Sequence, residues 1–168
     1  MNARQMLVTF TLKYNGDWDK IYEAIRTKEP ISDEEYEKYG EMAKGYQFIT
    51  AIDEEYPQAL KGIYKPPFVL FYKGDLSLLN NNVLGVFGSR NTPVSDRKFY
   101  DKIDEHNHTL LSCNDYALDT TKNKTINVLN GGFDIRHHKA DLEITEYPNE
   151  VKPTQDTMAH SKRIVAGL

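Results

Sequence analysis

The sequence has one cysteine and no excess of positive charge. Because Cys113 has no second thiol to pair with, an internal disulfide and a zinc site built from several cysteines are both excluded. No apolar run reaches the ~20 residues that a membrane-spanning helix needs, and no signal-peptide core follows Met1. We therefore expect an untargeted protein of a reducing compartment, with no membrane partner.

The charge is unevenly distributed along the chain. The 21 Lys and Arg residues are outnumbered by 25 Asp and Glu residues, and residues 1–60 hold twelve of these acids against seven bases. Nucleic-acid-binding proteins usually carry a basic surplus, because contacts to phosphates supply much of their affinity. The chain has no such surplus, and an acidic N-terminal part that faces a basic partner is an equally physical arrangement.

The sequence pattern of the N-terminal part predicts a small helical unit. The apolar positions of residues 4–12 fit either a strand or a helix. Asp17 can cap a helix, and Ser32 with Glu35 forms a capping box for another. We expect an acidic helical module over residues 1–45.

From residue 46 onward, short apolar runs alternate with turn residues. The runs predict six strands, at residues 48–52, 68–72, 83–87, 109–112, 125–129 and 142–145. A helix over 95–105 would connect the third strand to the fourth. This order predicts an α/β fold, with a truncated Rossmann-like domain over residues 46–168. Only residues 120–124 separate Asp119 from the fifth strand, so either a helix is missing there or that strand is antiparallel.

Gly88, Ser89 and Arg90 lie between the third predicted strand and the predicted helix. In that position, backbone N–H groups, a hydroxyl and a guanidinium can converge on a phosphate. A pattern of three residues is equally typical of an ordinary tight turn. The pattern alone therefore leaves a phosphate site and a turn open.

Longer motifs resemble the DNA-processing protein A (Smf) family and cover nearly the whole chain in order. They read YPQAL, PPFVLFYKGDL, VFGSR, KTINVLNGGFD, TEYP and RIVAGL, at residues 56–60, 66–76, 86–90, 124–134, 145–148 and 163–168. The resemblance implies an extended Rossmann-like fold and single-stranded DNA binding without sequence preference. It also implies loading of a recombinase and no catalysis. The residues that would contact phosphate or DNA are Gly88, Ser89, Arg90 and Arg163.

The sequence departs from that family in the second glycine-rich loop. Cys113 and Ala117 stand where the family has glycine, so close approach of a phosphate to the backbone is sterically penalised. Asp115 adds a negative charge, and Ser161 and Lys162 stand where the family has Arg and Asn. These departures predict a scaffold that has lost much of its DNA-binding and partner-binding apparatus.

Gln5 begins the segment QMLVTF, which fits the hexapeptide that binds bacterial sliding clamps. In such peptides the glutamine amide is hydrogen-bonded, and apolar side chains, here Met6, Val8 and Phe10, enter a pocket of the clamp. The motif requires an extended backbone, so a helix over this segment would exclude it. A core helix or strand with a leading glutamine is the more common origin of such a pattern.

As a whole, the chain also resembles the phage Twort-type inhibitors of the bacterial DNA sliding clamp, the beta subunit of DNA polymerase III. A clamp channel is basic, so a compact acidic protein can occupy it and block DNA and the clamp loader. The candidate contacts are Gln5, Met6, Val8, Phe10, Asp33, Glu34, Glu35 and Glu37. Our leading expectation is a phage-encoded, non-enzymatic inhibitor of host DNA replication that acts in the host bacterial cytoplasm.

Two other functions stay open. One is a minimal single-stranded DNA-binding protein that acts in recombination through Gly88, Ser89, Arg90 and Arg163. The other is a nucleotide sensor with a phosphate at Ser89 and Arg90. A homodimer is also plausible, because a truncated sheet leaves an exposed edge.

We predict no catalytic residue, metal or cofactor. His137, His138 and Asp134 could bind a metal, but adjacent side chains on an extended segment point in opposite directions. The lone Cys113 is more typical of a small buried residue than of a nucleophile.

Overall fold

A computed structural model of the protein describes residues 2–87, 97–113, 118, 121–135, 137 and 139–168, with the backbone alone for residues 97–100. Its first three elements are the helices α1 (Ala3–Lys13), α2 (Trp18–Arg26) and α3 (Asp33–Ala43). Each begins at a residue whose side chain accepts a hydrogen bond from the backbone three residues later; these residues are Asn2, Asp17 and Ser32. The ambiguous first segment is therefore a helix, because Asn2 and Gln5 form a capping box at its start.

The rest of the chain supplies the sheet and the helices that cover it. The strands are β1 (Gln47–Thr50), β2 (Val69–Gly74), β3 (Val83–Gly85), β4 (Thr109–Ser112), β5 (Thr125–Val128) and β6 (Leu142–Thr145). The helices are α4 (Gln58–Lys61), a 3₁₀ helix (Leu76–Asn80), α5 (Arg97–Asp104) and α6 (Gln155–Gly167).

The six strands form one sheet in the order β1-β2-β6-β5-β4-β3. Strands β3 to β6 are parallel to one another, while β2 pairs antiparallel with both β1 and β6. The predicted α/β fold with a Rossmann-like parallel sheet is confirmed. The antiparallel alternative for the fifth strand is wrong, since Leu111 of β4 pairs in parallel with Ile126 of β5. Asp115 and Ala117, in the crossover between them, lie outside the described residues.

Buried side chains line both faces of the sheet. On one face, α4 and α6 contribute Leu60, Ile164 and other apolar residues to a cluster with Leu111 and Ile126. On the other face, α1 packs against β2 in a separate cluster. Because α1 shares that core with the sheet, the division into residues 1–45 and 46–168 stays a prediction. Within the described part of the chain, no helix is long and apolar enough to cross a membrane.

Candidate nucleic-acid interface

The carboxyl ends of four parallel strands meet at one edge of the sheet, which we call the carboxyl edge. Gly85, Ser112, Val128 and Thr145 are the last residues of these strands. In open α/β sheets, ligands bind outside the carboxyl ends of the strands, where the loops meet. A ligand is therefore expected to bind at the carboxyl edge.

At the end of β3, the chain is fixed just before the predicted phosphate loop. The Ser112 hydroxyl donates a hydrogen bond of 2.6 Å to the carbonyl oxygen of Val86. The next residue, Phe87, has 53% of its surface exposed. Gly88, Ser89 and Arg90 lie outside the described residues, so their role at a phosphate stays a prediction. An exposed aromatic ring beside them was not anticipated from the sequence.

The two glycines after β5 allow one loop to pack closely on another. A Cβ atom on Gly132 would lie 2.6 Å from the Cα atom of Asn149, and one on Gly131 would lie 2.6 Å from the carbonyl oxygen of Val151. The Thr145 hydroxyl also donates a hydrogen bond of 2.9 Å to the Gly131 carbonyl oxygen. This glycine pair therefore serves loop packing inside the protein.

Helix α6 brings a lysine to the carboxyl edge. Ser161 is 1% exposed and donates a hydrogen bond of 3.0 Å to the carbonyl oxygen of Met158. Burial raises the pKa of the neighbouring Cys113 thiol, although Ser161 and the positive charge of Lys162 oppose the shift. Lys162 itself is exposed. It is a candidate phosphate contact that the sequence marked only as a departure from the family.

Arg163 is engaged inside the protein, and its predicted contact to DNA stays a prediction. Its side chain is 13% exposed, and its two terminal nitrogens donate to the two carboxylate oxygens of Glu146 at 2.6 and 2.7 Å. Its Nε atom donates to the carbonyl oxygen of Lys65 at 3.0 Å, and Nη1 also donates to that of His160 at 2.7 Å. The guanidinium is thus held in place as a structural group.

The residues of the clamp-binding hexapeptide lie in α1. Val8 is 3% exposed and Phe10 is 1% exposed, so neither can enter a pocket of another protein while the helix is folded. Met6 packs partly buried against the Phe10 cluster. The Gln5 side chain accepts a hydrogen bond of 3.0 Å from the Asn2 backbone. The extended conformation that the motif requires is absent from this segment.

The four acidic candidates occupy the first turns of α3, where the helix dipole stabilises negative charge. Asp33, Glu34 and Glu37 are exposed. Glu35 is engaged inside the protein, since its carboxylate lies 2.6 Å from Lys13 Nζ and also accepts from the Ser32 backbone. The hydrogen bond from Lys13 is the main cause that lowers the pKa of Glu35.

His137 and Asp134, two of the residues considered as metal ligands, have different partners inside the protein. His137 Nε2 lies 3.1 Å from a carboxylate oxygen of Glu143, whereas Asp134 accepts a hydrogen bond from the Glu150 backbone at 2.9 Å. His138 lies outside the described residues. Among the residues that the structure describes, no three such side chains come together in a metal-binding arrangement.

A family model matches residues 47–168 of the chain, and its description is DNA recombination-mediator protein A. The chain is 28% identical over 149 residues to the DNA processing protein DprA of Bacillus subtilis (strain 168), covering 74% of the chain and 50% of that protein. It is 30% identical over 142 residues to DprA of Streptococcus pneumoniae (strain ATCC BAA-255 / R6), covering 71% and 50%. The chain thus spans about half the length of these two relatives.

Solved structures of the same kind of protein share the fold. The X-ray structure of DNA processing protein A from Streptococcus pneumoniae superposes with a TM-score of 0.65 and 21% identity, over 97% of this chain and 70% of that one. A structure of the Helicobacter pylori protein, described for its unique mode of single-stranded DNA binding, gives a TM-score of 0.57 and 17% identity, over 73% and 66%. At these identities the likeness shows the fold.

The comparisons contradict the leading expectation of a phage-encoded inhibitor of host replication. The matching family, relatives and structures described above are all DNA processing proteins. The sliding clamp is therefore not supported as the main partner, and the clustered acids misled the interpretation. The net charge is a property of the whole surface, and it does not determine the charge at one local binding edge.

Proposed function

The chain belongs to the DNA recombination-mediator protein A family, and on that premise we propose that it binds single-stranded DNA in recombination without catalysing a reaction. The observation that carries the proposal is the extent of the family match. Residues 47–168 contain every strand of the sheet and all the loops of its carboxyl edge. Such a role places the protein in the cytoplasm.

The proposed DNA path follows the carboxyl edge. Backbone N–H groups at Gly88 and Ser89, with the Arg90 guanidinium, would hold one phosphate. The exposed ring of Phe87 offers a face on which a base can stack, and such stacking tolerates any base sequence. Lys162, exposed on α6, would neutralise a second phosphate. Together these groups account for binding without sequence preference.

The one thiol at the carboxyl edge is not suited to act as a nucleophile. Burial raises the pKa of Cys113, so the thiol stays protonated and is a poor nucleophile at neutral pH. We further propose that residues 1–45 form a helical module that supports β1 and β2, because α1 packs against both strands.

The test is a titration of fluorescein-labelled oligo-dT with the full chain, followed by fluorescence anisotropy. We expect micromolar or tighter binding by the unaltered protein and a loss of at least tenfold in affinity for Arg90→Ala. Lys122→Ala is the matched control, because Lys122 is exposed at the opposite edge of the sheet and its loss changes the net charge equally. No binding at micromolar protein, or an equal loss in both variants, contradicts the proposal.

A further inference from the structure

We propose that a cavity between α1, α3 and β1 binds a nucleotide, with its base between aromatic rings and its phosphate at Arg4. The cavity has a volume of about 360 Å³, which lies within the usual range for small-molecule sites. It shares no lining residue with the carboxyl edge. The inference therefore stands independently of the proposed DNA-binding function.

Aromatic rings form much of the wall of this nucleotide cavity. Tyr36 and Tyr39 of α3 line it from one side, and Tyr46 and Phe48 line it from the other. All four residues are half-buried. Half-open rings around a concave site favour a planar ligand that can stack on them.

A threonine of α1 contributes a hydroxyl to the wall of the cavity. Thr9 lines the cavity and is 3% exposed. Two residues later, the Thr11 hydroxyl donates to the carbonyl oxygen of Leu7 at 2.8 Å. The Thr9 hydroxyl can donate to or accept from a ligand that carries hydrogen-bonding atoms on the edge of its ring. This favours a heteroaromatic base over an aromatic hydrocarbon.

The charges of the lining favour a ligand that carries a negative group. Arg4 and Lys44 line the cavity, and no carboxylate does. The Arg4 guanidinium lies 4.3 Å from the centre of the Phe48 ring, and its Nε and Nη2 atoms donate to Asp53 and to the Phe48 carbonyl oxygen at 2.9 and 3.1 Å. Asp53 offsets part of the Arg4 charge, but the Arg4 side chain stays 45% exposed, unlike the buried Arg163. A planar cation held in this way suits a phosphate.

A glycine in the middle of α3 keeps the cavity open. Gly40 lines the cavity, and a Cβ atom added there would meet no heavy atom within 4 Å. Its backbone is helical and its φ is not in the left-handed region, so neither packing nor conformation requires glycine. Glycine nevertheless disfavours a helix relative to alanine. The space beside this position is therefore open, and a side chain much larger than that of alanine would extend into the cavity.

The experiment is an isothermal titration of the full chain with dTMP, with thymidine and inorganic phosphate as separate probes. We expect dTMP to bind at least tenfold more tightly than either probe, because the base and the phosphate each contribute. Gly40→Leu should abolish binding by filling the cavity, whereas Gly40→Ala, the matched control, should bind within about threefold of the unaltered chain. Thr9→Val should weaken binding about threefold to tenfold, since it removes one hydrogen bond.

Thermal unfolding of each variant shows whether a loss of binding reflects a loss of folding, and both glycine variants should be at least as stable as the unaltered chain. Failure to bind dTMP, equal binding of dTMP by Gly40→Leu, or equal affinity for phosphate alone overturns the proposal. The Arg90→Ala variant should lose affinity for oligo-dT and retain its affinity for dTMP. A failure of one proposal can therefore be distinguished from a failure of the other. If Gly40→Leu also weakens oligo-dT, the strand supplies the nucleotide; if it affects dTMP alone, a free nucleotide does.

Discussion

Arg163 and Glu146 form a bidentate ion pair that joins the last helix to the loop after the last strand, with N–O distances of 2.6 and 2.7 Å. The pair connects two of the sequence motifs that carry the family resemblance, at residues 145–148 and 163–168. Both side chains are largely buried, at 5% exposure for Glu146 and 13% for Arg163. Each of the two motifs therefore supplies one partner of the same buried ion pair.

We expect Glu146→Gln to lower the free energy of unfolding by about 3 kcal/mol, because it leaves the Arg163 guanidinium buried without a counter-charge. Equilibrium unfolding in urea measures the change. The double variant Glu146→Leu with Arg163→Met is the control, and it should be more stable than Glu146→Gln since it removes both charges. A loss below about 1 kcal/mol for Glu146→Gln would show that the pair is not essential to the packing of α6.

Most of the sheet could be predicted from the sequence because each strand is a short apolar run between turn residues. Helix α6 was missed because its buried face combines hydroxyl and apolar residues, namely Thr157, Ser161, Ile164 and Val165. Thr154 was the available signal, since threonine is one of the residues preferred at a helix N-cap.

The binding edge was harder to predict because its parts are far apart in the chain. Local sequence identified Gly88, Ser89 and Arg90 as a candidate phosphate loop. It could not show that α6 brings the charge of Lys162 near enough to influence Cys113 after β4, since that placement depends on tertiary packing. For the same reason it could not distinguish a DNA-binding role for Arg163 from an internal one.

Gly74 should tolerate no side chain. Its φ of 104° lies in the left-handed region, and an added Cβ atom would collide with the carbonyl oxygen of Asp141. We expect Gly74→Ala to reduce the free energy of unfolding by about 3 kcal/mol, from backbone strain together with the clash. Gly62→Ala is the control, because the nearest atom there is 3.9 Å from the added Cβ. Equal stability of the two variants, measured by urea unfolding, would refute this expectation.

The ion pair between Lys13 of α1 and Glu29, which lies between α2 and α3, should make stability depend on pH. Lys13 Nζ lies 2.7 Å from one Glu29 oxygen, and the Tyr14 hydroxyl donates to the other at 2.6 Å. These two hydrogen bonds lower the pKa of Glu29 from its ordinary value of 4.5. A carboxylate with a lowered pKa stabilises the fold above its unfolded pKa, and this contribution is lost as pH falls through the folded pKa.

We therefore expect the free energy of unfolding to decrease as the pH drops below about 4.5. Glu29→Gln should be about 1 kcal/mol less stable at pH 7 and should lose less stability between pH 7 and pH 3. Urea unfolding at a series of pH values measures both effects. Glu37→Gln, which removes an exposed carboxylate of α3, should retain the pH profile of the unaltered protein. An unchanged profile in Glu29→Gln would show that Glu29 does not contribute.

If Phe87 stacks on a base, Phe87→Ala should weaken oligo-dT binding by about 1–3 kcal/mol without changing the salt dependence of the affinity. Tyr22 of α2, with 49% of its surface accessible, lies outside the family match to residues 47–168 and supplies the control variant Tyr22→Ala. Anisotropy titrations at several salt concentrations separate the two effects. An equal loss in both variants would mean that stacking at the carboxyl edge contributes nothing specific.

Lys162 should contribute to DNA binding through its charge, so its contribution should depend on the salt concentration. A protein that neutralises a phosphate of single-stranded DNA releases counterions, and each such contact adds about 0.7 to the slope of log K against log salt. Lys162→Ala should thus reduce that slope by about 0.7 and weaken binding most at low salt. Lys122→Ala, at the opposite edge, should leave the slope unchanged. If both variants have the slope of the unaltered protein while still binding DNA, the strand does not contact α6, and the proposed path along the carboxyl edge is wrong.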